Sequence, residues 1–261
     1  MLEVGLNKRT LKTNMQKTIH ELVDQIESVI AKYSPTLSED IIAKSEDEVK
    51  EICTKLSISN LKELEDLYPC VNYLLFPFTL LPVKEICVYH EIWQDDIHEF
   101  GMKELSIHLV ESLIFAVEGK DLYYIVSKEG QVQFVSFLGQ TIDTLAKDLR
   151  SFLNAFADTL IYLEDNGLYD NHIGISPSDP IFRQKLREHS PDLYTSILAE
   201  LENLKSDPNL TEDRLFQFGY LLLSAESAQD FFLIAENLSL DSKVRKLAQS
   251  MGEDLLKLEE K

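Results

Sequence analysis

Apolar residues recur at every third or fourth position near the amino terminus. This spacing predicts a helix over Thr18–Tyr33, and Ser34-Pro35 ends it because proline disfavours helical conformation in the residue before it. A second helix is expected after the capping-box sequence Ser45–Glu48. A third helix is expected to begin near Ser59 and to carry three leucines, Leu61, Leu64 and Leu67.

The middle of the chain favours strands. Val83–Trp93 combines apolar and β-branched residues and predicts one strand. Short apolar runs separated by glycine-containing turns predict an antiparallel meander of three or four strands, with runs at Ser112–Val117, Leu122–Ser127 and Gln131–Phe137. The helical period then returns over Thr141–Leu163.

Residues 164–180 are rich in Gly, Pro, Asn and Asp, a composition that predicts a linker. About four helices are expected beyond this segment. Their predicted starts are Ser190-Pro191, Thr211, Ser227 and Ser242, and the last two helices are expected to form an antiparallel pair.

These elements predict an α+β fold, in which a small antiparallel sheet is flanked by helices and followed by a C-terminal helical region. Residues 1–163 are expected to form the α+β domain, with a helical extension at its amino terminus. Residues 181–261 are expected to form a C-terminal helical bundle or subdomain. No second copy of either unit is visible in the sequence.

The charge of the chain changes the picture of its partners. The 261 residues include 45 acidic and 25 basic side chains, a net charge of −20. Residues 61–175 alone carry 19 acids and 7 bases, a net of −12. Because nucleic-acid phosphates repel such a surface and no basic stripe offsets it, a nucleic-acid partner is excluded. We expect a protein partner instead.

The three cysteines, Cys53, Cys70 and Cys87, form no CxxC pair and indicate a reducing compartment. The amino terminus lacks an apolar stretch of signal-peptide length. The longest apolar run, Val71–Val83, is broken by two prolines, so no membrane span is expected. We therefore predict a soluble, cytoplasmic protein.

The densest polar cluster lies at His90–Glu99, where His90, Asp95 and His98 are candidate ligands of a divalent metal. Their spacing matches no established ligand pattern, and a strand end followed by an acidic loop explains the cluster more simply. Acidic and histidine side chains also gather in the linker, where a role in turns is favoured over a site. These linker residues are Asp165, Asp170, His172 and Asp179.

A series of short motifs in the middle of the chain follows a recognisable order. It comprises Leu113–Ala116, Gly119, Asp121, Tyr123–Ile125, Gly130–Val132, Leu149, Phe152 and Leu153. The order resembles the SUKH superfamily, whose members include yeast cell-wall-assembly regulators and bacterial immunity proteins. The resemblance covers about Ser45–Leu153. It implies a sheet of hairpins closed by a helix, and an immunity-type protein that binds and neutralises a toxin, often a nuclease.

The favoured function is a non-catalytic, acidic protein-binding module whose partner is a basic toxin domain. The candidate binding residues are the acidic-loop carboxylates and one aromatic anchor: Glu91, Trp93, Asp95, Asp96 and Glu99. No catalytic residue, metal ligand or cofactor is assigned. Two alternatives stay open: a metal- or carboxylate-dependent enzyme with a site around residues 90–99, and a helical adaptor that works through residues 181–261.

Overall fold

The computed structural model shows an α+β protein, as predicted. It describes residues 17–33, 50–51, 54, 62–68, 79–81, 86, 112–118, 122–136, 141–169, 175–216 and 218–259. None of the helices described in these ranges is both long enough and apolar enough to cross a membrane.

The first described helix, α1 (Ile19–Tyr33), confirms the apolar periodicity. A reciprocal capping box starts it: the amide of Thr18 donates to Glu21 Oε2 at 2.7 Å, and the amide of Glu21 donates to Thr18 Oγ1 at 3.2 Å. The buried stripe consists of Ile19, Leu22, Val23, Ile26, Val29 and Ile30.

The next two predicted helices are only partly described. Residues 50–51 and 54 are helical, in agreement with the second predicted helix. The third is the short α2 (Lys62–Leu67), which buries Leu64 and Leu67. The capping-box sequence Ser45–Glu48 lies outside the described residues.

The sheet is a four-strand antiparallel meander with a two-residue strand added at one edge, in the order β1-β2-β3-β4-β5. Each strand pairs with its neighbours in sequence, and the short connections between successive strands from β2 to β5 are those of hairpins. The strands are β1 (Thr79–Leu80), β2 (Leu113–Glu118), β3 (Leu122–Val126), β4 (Val132–Ser136) and β5 (Thr141–Ala146).

The turn between β3 and β4 shows why the sequence has glycine there. Ser127 and Gln131 close a three-residue loop, and the amide of Gly130 donates to the carbonyl oxygen of Ser127 at 2.8 Å. Gly130 has φ of 85°, a left-handed conformation that a side chain disfavours. The predicted hairpin is confirmed.

Two elements differ from their prediction. Thr141–Ala146 is a strand rather than the start of a helix, because its β-branched threonines and Ile142 pair with β4. Within the predicted strand Val83–Trp93 the structure describes Ile86, which is helical, so the strand prediction is wrong at that residue. Val83, Ile86 and Cys87 occupy positions i, i+3 and i+4, so the apolar run also fits a helical period.

The remaining elements are helices. Asp148 caps the first of them by accepting from the amide of Ser151 at 2.6 Å. The helices are α3 (Leu149–Asp165), α4 (Pro180–His189), α5 (Pro191–Ser206), α6 (Glu212–Phe216), a 3-10 turn (Ala225–Ser227), α7 (Ala228–Glu236) and α8 (Ser242–Glu259).

Helices α7 and α8 pack against each other, as predicted for a helix pair. Gly252 makes close packing possible, since a Cβ at this position would lie 2.6 Å from the ring of Phe232. At Ser190 the predicted helix start is correct, although its hydroxyl does not cap α5. It accepts instead from the amide of Lys147 at 3.3 Å and joins the α4–α5 corner to the end of β5.

Helices from the C-terminal region pack directly on the sheet-bearing part. Phe182 of α4 makes edge-on ring contacts with Phe152 and Phe156 of α3, with centroids 5.7 and 5.9 Å apart. Phe152 in turn contacts Phe115 of β2 and Tyr124 of β3. One buried core therefore continues across the predicted linker, while the proposed division at residues 163 and 181 stays a prediction.

Candidate functional site

The sequence-predicted binding residues Glu91, Trp93, Asp95, Asp96 and Glu99 lie outside the described residues. The same holds for the alternative metal ligands His90 and His98, and for the three cysteines. Their role therefore stays a prediction.

The linker acids divide between those that the structure describes and those that it does not. Asp179 caps α4, because its Oδ1 accepts from the amides of Ile181 at 2.9 Å and Phe182 at 3.0 Å. This confirms a structural role for Asp179. Asp165 is exposed at the end of α3, and Asp170 and His172 lie outside the described residues. No group of three or more potential metal-ligating side chains occurs in the part of the chain that the structure describes.

A buried arginine on α4 organises the most polar part of the described core. Arg183 is fully buried, and its Nε donates to the carbonyl oxygen of Leu221 at 2.6 Å. Its Nη2 donates to the carbonyl oxygen of Leu223. A buried cation needs such acceptors because desolvation is costly.

Asp143 of β5 holds the same segment from the other side. Its Oδ1 accepts from the amide of Leu221 at 3.0 Å, and Tyr220 also donates a backbone hydrogen bond to this carboxyl group. Burial raises the pKa of Asp143 to about 6, against the opposing effects of the two backbone hydrogen bonds and of Arg183. Burial likewise raises the pKa of the Tyr220 phenol to about 12.

Gly219 lets this segment approach the free edge of β5. A Cβ there would lie 2.9 Å from the carbonyl oxygen of Ile142 and 3.0 Å from both Cα and Oδ1 of Asp143. Real Cβ atoms seldom come so close to backbone. The segment therefore covers a sheet edge that would otherwise be open to pairing.

Arg187, one turn after Arg183, completes the cluster. Its Nη1 donates to the carbonyl oxygens of Leu222 and Leu223, each at 3.3 Å, and its guanidinium lies 5.9 Å from the ring centroid of Tyr194. We call Asp143, Arg183, Arg187 and residues 219–223 the buried clamp. Its geometry fixes the position of an irregular segment against the sheet.

Two further polar pairs connect elements of the fold. The hydroxyl of Tyr124 donates to Glu118 Oε2 at 2.7 Å, and burial raises the pKa of both groups. His189 Nε2 lies 2.8 Å from Asp158 Oδ2, and this hydrogen bond lowers the pKa of Asp158. The second pair joins α4 to α3 at a half-exposed position.

The exposed surface carries carboxylates that have no counterion. Eight exposed acids form no ion pair or hydrogen bond within the described ranges, and five of them lie in the C-terminal helical region. They are Glu51, Glu129, Asp165, Asp192, Glu200, Asp213, Glu226 and Glu236.

The sequence alone predicted neither the buried clamp nor this set of exposed acids. A signal for the clamp was present: Arg183 lies beside Phe182 and three residues before Leu186, on the apolar face of its helix. A charge on an apolar face indicates a buried partner. The identity of the partners of Arg183 depends on residues 38 to 40 positions away.

Comparison with known proteins gives no further guide to the site. No family model matches the chain, and no curated protein or solved structure is significantly similar to it.

Proposed function

We propose that this protein is a non-catalytic binding module that docks on the basic surface of another protein. The observation that carries the proposal is the division between two sets of charges. The buried ones, Asp143 and Arg183, are engaged in holding the fold together. The exposed carboxylates listed above have no counterion in the described part of the chain.

Unpaired surface carboxylates suit electrostatic docking. A net charge of −20 produces a field that attracts a basic partner over the Debye length, about 8 Å at physiological salt, and speeds association. Complementary charge at the rim of an interface also excludes acidic competitors. Both effects operate without a catalytic group.

The resemblance to the SUKH superfamily narrows the proposed partner to a toxin domain such as a nuclease. A nuclease must hold phosphates in a basic cleft, and an acidic protein can occupy such a cleft. In this proposal, the acidic loop with Glu91, Asp95, Asp96 and Glu99 enters the cleft, and Trp93 supplies an aromatic anchor.

The test is binding to the protein encoded by either gene adjacent to this one. We expect a stable complex with a basic adjacent product, and inhibition of its nuclease activity if it has one. Two neutralised variants locate the contact by isothermal titration calorimetry. One carries Glu91→Gln, Asp95→Asn, Asp96→Asn and Glu99→Gln, and the other carries Asp192→Asn, Glu200→Gln, Asp213→Asn and Glu226→Gln.

At least one of these variants is expected to bind about tenfold more weakly, because several rim charges of roughly 0.2–1 kcal/mol each are removed. The matched control neutralises two exposed lysines, Lys147→Gln and Lys246→Gln, and is expected to bind as tightly as the unmodified protein or more tightly. Absence of a complex with either adjacent product, or a complex that neither acidic variant weakens, contradicts the proposal.

A further inference from the structure

Two tyrosines meet where α1 and α3 end. Tyr33, the last residue of α1, stacks on Tyr169 with ring centroids 4.0 Å apart and an interplanar angle of 21°. Tyr33 is 38% exposed, and Tyr169 is half-buried. We call Tyr33 and Tyr169 the tyrosine patch. Large aromatic side chains at this exposure are the type that dominates protein interfaces.

A hydrogen-bonded turn after α3 positions Tyr169 against the ring of Tyr33. The amide of Leu168 donates to the carbonyl oxygen of Leu163 at 2.8 Å, and the amide of Gly167 donates to that of Glu164 at 3.0 Å. With φ of 64° at Gly167, these bonds form a Schellman motif, which ends α3 and sets the direction of the chain. The stacked pair is therefore preorganised, so binding needs little further ordering.

The charges around the tyrosine patch favour the binding of a cation. Lys32 Nζ lies 2.5 Å from Glu164 Oε1, and this ion pair brings together the carboxyl ends of α1 and α3. Each helix end carries partial negative charge from its macrodipole. The last turn of α3 contains no basic residue. Asp165 adds an exposed carboxylate that lies close enough to Lys32, the neighbour of Tyr33, to help Glu164 raise the pKa of Lys32.

We propose that the tyrosine patch and Asp165 bind an arginine side chain from an exposed, arginine-rich segment of the basic partner protein. This inference rests on the proposed function and identifies a docking point for it. A guanidinium can lie flat on a tyrosine ring while it donates to Asp165, a combination that neither an apolar side chain nor an acidic one offers. Lysine lacks the planar stacking surface and is the weaker occupant.

The experiment uses the full chain with its ten tyrosines labelled with ¹³C, and an acetylated tetra-arginine amide as the probe. We expect saturable chemical-shift changes at the resonances of Tyr33 and Tyr169, with a dissociation constant of about 1 mM or tighter. Tetra-lysine amide is expected to bind about threefold more weakly. Unchanged resonances of these two tyrosines, or equal binding of the two peptides, overturn the inference.

Variants test whether the peptide binds at the tyrosine patch or is attracted by the acidic surface in general. Tyr33→Ala and Asp165→Asn are each expected to weaken tetra-arginine binding about fivefold, whereas Tyr33→Phe keeps the ring and most of the affinity. Leu238→Ala removes a large exposed side chain elsewhere and is the matched control, expected to bind normally. Unfolding curves confirm that each variant is folded. Loss of binding in Leu238→Ala, or normal binding in both Tyr33→Ala and Asp165→Asn, contradicts the inference.

The same variants distinguish this inference from the proposed function. If the full basic partner binds Tyr33→Ala and Asp165→Asn as tightly as it binds the unmodified protein, the tyrosine patch is not a docking point, while the proposed function stands. If no basic partner binds the unmodified protein, the proposed function is wrong whatever the peptide does.

Discussion

At the scale of single residues, Asp143 is a carboxyl group whose ionisation opposes folding. Burial raises its pKa to about 6, from an ordinary value of 3.8. The folded chain therefore holds the Asp143 proton more firmly than the unfolded chain does. Its effect on stability is most favourable below the unfolded pKa and decreases as the pH rises through about 6.

The substitution Asp143→Asn tests this linkage. Relative to the unmodified protein, the variant should gain about 3 kcal/mol in free energy of unfolding between about pH 4 and pH 7, because it has no carboxyl group to ionise. Urea unfolding of both proteins across this range measures the difference. A difference that stays constant with pH would mean that Arg183 keeps Asp143 ionised throughout.

The close approach of Gly219 to β5 leads to a second prediction at the scale of single residues. Gly219→Ala places a methyl group against the backbone of Ile142 and Asp143, so one of the two segments has to move. We expect a loss of about 1–3 kcal/mol in free energy of unfolding, measured by chemical denaturation. The exposed substitution Ser196→Ala serves as the control, with a change within about 0.5 kcal/mol. Wild-type stability in Gly219→Ala would show that the segment is held loosely.

At the scale of elements, the boundary between β5 and α3 depends on one cap. Asp148 accepts from the amide of Ser151 and places a negative charge at the start of α3. Asp148→Ala should cost about 1 kcal/mol in thermal or urea unfolding, while Asp148→Asn retains the acceptor and should cost less than about 0.5 kcal/mol. Equal losses in both variants would assign the effect to charge rather than to the hydrogen bond.

The sequence predicted elements well where one periodicity dominates. The stripe of α1 and the hairpin at Gly130 were both predictable, because period and turn chemistry agree. Thr141–Ala146 was not, since its apolar residues continue the spacing of α3 and its pairing with β4 decides its conformation. The strand prediction was wrong at Ile86 because a short apolar run fits both the helical and the strand period.

The candidate site was less predictable than the fold. The buried clamp joins Asp143, Arg183 and Leu221, which lie on three different elements far apart in sequence. The tyrosine patch likewise needs the ends of α1 and α3 to meet. Neither contact follows from local spacing, whereas the acidic composition that motivates the proposed function is evident in the sequence.

At the scale of the whole molecule, the continuous core predicts that the sheet-bearing part does not fold without the C-terminal helices. A chain that ends at residue 178 loses Phe182 from the rings of Phe152 and Phe156, and uncovers the edge of β5. We expect this shortened chain to lack a cooperative unfolding transition by circular dichroism, whereas the full chain shows one. A cooperative transition in the shortened chain would support an independent α+β domain at residues 1–163.

The central claim is that the acidic exterior docks on a basic protein, and association kinetics test it most directly. Stopped-flow mixing with the basic adjacent-gene product measures the association rate constant as salt is raised from about 20 to 200 mM. We predict a fall of about tenfold or more, because screening removes the long-range attraction of a −20 chain. An association rate constant that does not change with salt would contradict the claim.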